Sequence, residues 1–152
     1  MKILSTDIFM FKIPMTPFTI ATGTMEYAQN IVIKIHTDEG IIGWGECSAF
    51  PMIVGETQLS CYQIAKDFAS FWKGKNPLAI SERLQELDSI IAGYYTAKSA
   101  FDLALYDIAA KAANQPLYAF LGGKSIPIET DLRSEDHTSE LQSRGLISYA
   151  VF

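Results

Sequence analysis

Residues 96–123 read "TAKSAFDLALYDIAAKAANQPLYAFLGG", and their spacing predicts the longest helix of the chain. Ala97, Phe101, Ala104, Leu105, Ile108 and Ala112 recur at three- and four-residue intervals, which puts them on one apolar stripe. Opposite charges stand four apart at Lys98/Asp102 and Asp107/Lys111, where they support a helix. Asn114 ends the period, and "QPLYAFLGG" adds a short helical turn closed by Gly122 and Gly123.

Working backwards, the same period runs through "TQLSCYQIAKDFASFW" (57–72), with Leu59, Tyr62, Ile64, Ala65, Phe68 and Phe71 or Trp72 on one side and Gly74 as the stop. "SERLQELDSII" (81–91) predicts another helix, with Ser81 as its N-cap. Upstream of these the period is that of strands. β-branched and aromatic residues suggest one from Lys2 to Ile13, and "NIVIKIHTDEGIIGWGECS" (30–48) carries two more joined at "TDEG". The intervening "PMTPFTIATGTMEYAQ" (14–29), with two prolines and a glycine, is predicted to be a loop, and "AFPMIVGET" (49–57) a second irregular segment. "SIPIETDL" (125–132) begins a further strand. The fold class is therefore α+β: a three-stranded antiparallel meander, a helical bundle, and the first strand of something else.

Composition bounds the function. The chain has 152 residues, and 49% hydrophobic content is enough for the core of one domain. A net charge of −5 with singly scattered Lys and Arg provides no basic stripe to follow phosphates, which argues against nucleic acid. No apolar run approaches the roughly 20 residues that span a bilayer. The N-terminus lacks a cleavable leader pattern, so the expected location is cytoplasmic, away from membranes. Cys47 and Cys61 have neither a pairing signature nor metal spacing and are expected to be reduced, buried thiols.

Three stretches, "GIIGWGECS", the 96–123 segment and "IPIETD", resemble the N-terminal capping domain of the enolase superfamily, in its mandelate racemase and muconate lactonizing branch, and most of all the dipeptide epimerases. The resemblance implies a capping domain over residues 1–125 and the start of a truncated (β/α) barrel at 126–132. In such enzymes Mg²⁺ sits on three acidic residues at the ends of barrel strands, two lysines flank the substrate α-carbon, and the metal stabilises the enediolate. All of these groups belong to the barrel. Asp102, Asp107, Glu46 and Asp131 are therefore read as surface or interface acids; no catalytic residue and no metal ligand is assigned in this chain. Mg²⁺ is expected in the full-length parent and not in this fragment.

By the same resemblance, the segments Pro17–Tyr27 and Ser48–Thr57 close over the substrate, here a dipeptide. Phe18 and Ile53 match pocket-lining positions, the alternative being that they anchor their segments to the cap's own core. Gly23 stands where members acting on Ala-Glu dipeptides carry an Arg that pairs with the glutamate side chain, so an apolar or small second residue is favoured. Substrate binding is thus expected at Phe18, Gly23 and Ile53.

Beyond Leu132 the character changes. "RSEDHTSELQS" (133–143) has no hydrophobic period and resembles "RSEEHTSELQS", the translation of a commonly used DNA sequencing adapter, departing from it at Asp136. Residues 133–152 are read as a non-native tail and the barrel domain as missing. The expected function is the specificity cap of a dipeptide epimerase. A stand-alone peptide- or protein-binding module, or the cap of a muconate cycloisomerase or o-succinylbenzoate synthase-like enzyme, stays open beside it, as does a homo-oligomeric parent.

Overall fold

The computed structural model describes residues 1–20 and 23–127, and at residues 18 and 20 the backbone alone. Three strands, β1 (Ile3–Ile20), β2 (Gly23–Thr37) and β3 (Ile42–Ala49), form one antiparallel sheet in the order β1-β2-β3. Five helices follow: α1 (Pro51–Val54), α2 (Gln58–Trp72), α3 (Ile80–Ile90), α4 (Tyr95–Ala112) and α5 (Leu117–Phe120). The α+β architecture expected from the sequence is the one observed.

The predicted 14–29 loop is instead the outer half of a long β1–β2 ribbon, paired as Pro14↔Tyr27, Phe18↔Met25 and Ile20↔Gly23. Its prolines misled the reading because proline breaks a central strand but is accepted on an edge, where its missing N–H is not needed. β1 is such an edge, and its register shifts between Pro14 and Phe18, around the second proline. The turn at Thr37–Gly40 is as predicted. Gly40 takes φ +79°, and the Thr37 hydroxyl donates to the Ile41 carbonyl at 2.8 Å.

The core lies between one face of the sheet and the helices. Ile31, Ile33 and Ile35 alternate along β2 and are wholly buried. Beside them β3 presents Gly43 and Gly45 to α4, where a Cβ at Gly43 would lie 2.3 Å from the Ala104 carbonyl oxygen and one at Gly45 1.8 Å from that of Ala100. The glycines of "GWG" thus let a helix backbone rest directly on the strand. Asp107 fastens the contact by accepting from the Trp44 N–H (2.9 Å) and from Lys111 Nζ (2.6 Å), so this predicted pair also clamps sheet to helix. On the other side of α4, Phe101 packs edge-on against Phe68 and Trp72 of α2, with ring centroids 5.4 and 5.0 Å apart.

Several helical details differ from the pattern reading. α2 buries Gln58, Cys61, Ala65, Phe68 and Trp72, while Leu59 and Phe71 face solvent. Gln58 is buried because its amide donates to the Phe11 and Asn30 carbonyls, work that no hydropathy pattern reveals. Helix α3 starts at Ile80, so Ser81 lies inside it and no side chain caps it. Lys98 donates to Asp88 (2.9 Å) and the Ile91 carbonyl (2.7 Å) instead of pairing with Asp102. Desolvation accordingly raises the Asp102 carboxyl above its ordinary value. Ala112 is exposed, and Ala100, Ala109 and Ala110 are buried in its place. Asn114, at φ +52°, ends α4 as predicted, and Gly122 and Gly123 close α5. Residues 126 and 127 pair with no described strand; the rest of the predicted barrel strand (128–132) and the 133–152 tail lie outside the described residues.

Helix α2 opens with a capping box: Thr57 Oγ1 accepts from the Ser60 N–H and Ser60 Oγ from the Thr57 N–H. Thr57→Ala removes it and should cost about 1 kcal/mol, read as a lower urea midpoint at unchanged slope. An unchanged midpoint would show that the box is not holding the helix start.

Candidate functional site

The two segments that looked irregular in the sequence meet at one end of the sheet. The outer part of β2 (Thr24–Asn30), the end of β3 (Ser48, Ala49) and the Phe50–Met52 stretch enclose a cavity of about 370 Å³. α1 forms its lip. Pro51 opens this single helical turn and Gly55, at φ +72°, closes it by donating its N–H to the Pro51 carbonyl at 3.0 Å. These residues read as breakers in the sequence, and here they punctuate a helix.

The lip is fixed from behind. Glu56, only 6% exposed, accepts from the Thr96 hydroxyl and from the Thr96 N–H at 3.2 Å. Tyr94 gives α4 no side-chain cap, so the Glu56 carboxylate occupies that role at the positive end of the helix. The segment after α1 is thereby tied to the domain's longest helix. Asn30, 8% exposed, donates to Glu46 at 2.6 Å and ties β2 to β3 at the cavity floor, leaving its own Oδ1 without a partner among the described residues.

Of the predicted binding residues, Gly23 is placed most tellingly. It starts β2 at φ +149°, and a Cβ there would lie 2.6 Å from Met52 Sδ, so the start of β2 touches α1. Phe18 lies two registers back, its backbone opposite Met25. Ile53 is on α1 but 64% exposed and outside the cavity lining, to which its neighbour Met52 belongs. Among the lining residues that sequence reasoning did not assign, Met25 and Asn30 come from strand positions where alternation alone cannot tell a pocket wall from a solvent face, and Phe50 from the N-cap of α1. Among the described residues that line the cavity, Glu26 is the one charged side chain, and no Lys or Arg stands with it.

The sequence matches the family described as mandelate racemase / muconate lactonizing enzyme, N-terminal domain, over residues 4–122. The chain belongs to this family. Its sheet and helices are those of the N-terminal capping domain of the enolase superfamily. It is 42% identical over 130 residues to the D-Ala-D/L-Ala epimerase of Cytophaga hutchinsonii, a stretch covering 83% of this chain and 35% of that protein. With the N-succinyl-L-Arg/Lys racemase of Bacillus cereus it shares 36% identity over 126 residues, 82% of this chain and 34% of the other. In structure it resembles the Cytophaga hutchinsonii dipeptide epimerase complexed with Mg and D-Ala-L-Val, with a TM-score of 0.85, 37% identity, and coverage of 95% of this chain and 42% of that one. The chain thus spans about a third of the length of the curated relatives it matches. Among the described residues no three His, Cys, Asp or Glu side chains converge to hold a metal ion. Nor, among them, is any helix long and apolar enough to cross a membrane.

Proposed function

We propose that this chain is the substrate-facing cap of a Mg²⁺-dependent dipeptide epimerase, an isomerase that inverts an α-carbon of a dipeptide whose second residue is apolar or small. In this reading residues 1–125 are the cap, 126–132 begin the barrel that brings the metal ligands and the acid and base, and 133–152 stand outside both. The work takes place in the cytoplasm on free dipeptides.

The observation that carries the specificity is the cavity lining. Met25, Ala28, Ala49, Phe50 and Met52 give it apolar walls, and its one charged group, Glu26, repels a substrate carboxylate. A buried carboxylate without a cation would lose hydration and gain nothing in exchange. Gly23 supplies no cation, and its closeness to Met52 keeps the space narrow. Phe18 and Ile53 add apolar contacts when the ribbon and α1 close on the substrate, a movement that also excludes water from the reacting centre. The likeness to an epimerase named for D-Ala-D/L-Ala supports the same preference.

Gly23→Arg in the parent enzyme tests the reading. A charge-assisted pair with a glutamate side chain is worth about 1.5–3 kcal/mol, or roughly tenfold to a hundredfold in relative kcat/KM for Ala-Glu. The gain should fall at the lower end, because Arg must displace the Met52 thioether and adopt a φ of +149° that side chains resist. A parent already most efficient on Ala-Glu with Gly23 in place would contradict the proposal.

A further inference from the structure

Cys47 and Cys61 lie at the two ends of the segment that carries α1, one at the end of β3 and the other in the first turns of α2. They are the two cysteines of the whole chain. Both are free and buried, with exposures of 2% and 0%. Their sulfurs share one hydroxyl: Cys47 Sγ donates to Thr96 Oγ1 at 3.4 Å, and Cys61 Sγ lies 3.6 Å from the same oxygen. Cys61 Sγ is also 3.5 Å from Glu56 Oε2. The Thr96 hydroxyl gives its own proton to Glu56, so its lone pairs are left for the thiols, and a buried proton path runs from sulfur to carboxylate.

Two structural thiols would ordinarily be set among apolar side chains and left inert. Here both lie in the core, yet they share one hydroxyl, with a carboxylate beside Cys61. We propose that Cys47 and Cys61 are a redox pair, closing a reversible disulfide that clasps the base of the α1 lip when the protein meets a hydroperoxide.

The environment divides the work between them. Interaction with the Cys61 thiol lowers the Cys47 thiol below its ordinary value, while interaction with Cys47, with burial, raises Cys61. Cys61 also stands 3.5 Å from the Glu56 carboxylate, which disfavours its thiolate, so Cys47 is the sulfur that reacts first. It attacks hydrogen peroxide: an S–O bond forms, the O–O bond breaks, and the displaced hydroxide leaves as water with the thiol proton. Cys61 then attacks the Cys47 sulfenic sulfur, forming S–S and breaking S–O, and the second hydroxide leaves as water with the Cys61 proton, for which Glu56 Oε2 is the nearest acceptor. Two thiols are oxidised and one peroxide is reduced. A small oxidant suits the site, since neither sulfur is open to a bulky one.

The disulfide would close a covalent loop around Phe50–Gly55, restricting the lip from both ends. That this lip covers a substrate rests on the function proposed above; the disulfide itself does not. Treating the 152-residue chain with equimolar hydrogen peroxide should remove two hydrogens from its mass, yield a Cys47–Cys61-linked peptide on digestion, and be undone by dithiothreitol. Cys61→Ser should stop at a Cys47 sulfenic acid, which dimedone traps when the oxidised variant is unfolded in its presence. Thermolysin should cut the exposed α1 segment, before Ile53 or Val54, several-fold more slowly in the oxidised chain. Oxygen added to the cysteines without a link, links only between chains, or equal cleavage of the oxidised and reduced forms would each overturn the proposal. The wild-type mass and peptide map decide the point even if the variant fails to fold.

Discussion

Phe101→Ala lowers the stability of this chain by about 3–5 kcal/mol, seen as a fall in the urea midpoint with little change in slope. Phe101 is wholly buried on α4, and its ring meets both Phe68 and Trp72 edge-on. Truncation removes the transfer energy of the ring and two aromatic contacts and leaves a cavity between α2 and α4. Leu87 of α3 and Leu105 on the next turn of α4 are buried in the same core and cannot collapse into the space without leaving their own contacts. Total stability for a domain of this size is about 5–15 kcal/mol, so the variant should be partly unfolded in mild denaturant. A loss below about 1 kcal/mol, the scale of an ordinary surface change, would mean that the α2–α4 contact is not the centre of the core.

Gly45→Ala should be nearly as severe, for the opposite reason. The added methyl would lie 1.8 Å from the Ala100 carbonyl oxygen and 2.8 Å from its carbon. These are backbone atoms of α4, unable to rotate aside as a side chain could, so either the helix lifts from β3 or the strand bends. Overpacking of this kind costs about 3 kcal/mol, and lifting α4 also strains the Asp107 bridge to the Trp44 N–H. Gly40→Ala is the natural control. Nothing lies within 4 Å of its Cβ position, and its cost comes only from a φ of +79°, about 1–2 kcal/mol. If Gly45→Ala were as mild as Gly40→Ala, the close approach of helix and strand would be wrong.

Gly43 and Gly45 also mark the limit of what the sequence could tell. "GIIGWGECS" was legible as a family likeness and as a strand, yet nothing local says why two glycines alternate there. The reason is a helix some sixty residues later whose backbone needs the room. The α4 stripe was legible because period and burial agree from Ala97 to Ile108, and the Thr37–Gly40 turn because its chemistry is local. The same punctuation rules failed where context reversed them: Pro14 and Pro17 sit on an edge strand, and Pro51 and Gly55 bound a helical turn. Lys98 shows the failure in electrostatics, since its i+4 acid was in reach and Asp88 of α3 took it instead.

At the candidate site, both segments that line the cavity were singled out in the sequence, and both were taken for irregular loops. The meeting of Gly23 with Met52, and of Glu56 with Thr96, was not legible, because each joins positions far apart in the chain and leaves no periodic trace. Cys47 and Cys61 read as reduced, buried thiols, which they are, but their shared contact with one hydroxyl was not legible, because only the fold brings it about.

The most direct measurement is α-proton exchange in D₂O, followed by NMR, with the parent enzyme's barrel joined to this cap in the presence of Mg²⁺. L-Ala-L-Val and L-Ala-L-Glu would be compared side by side. A cap whose cavity has apolar walls and no cation predicts deuterium incorporation with inversion for both, and a higher kcat/KM for the valine dipeptide by roughly tenfold or more, the worth of an unpaired buried carboxylate. No exchange with any dipeptide, or a preference for L-Ala-L-Glu, would contradict it.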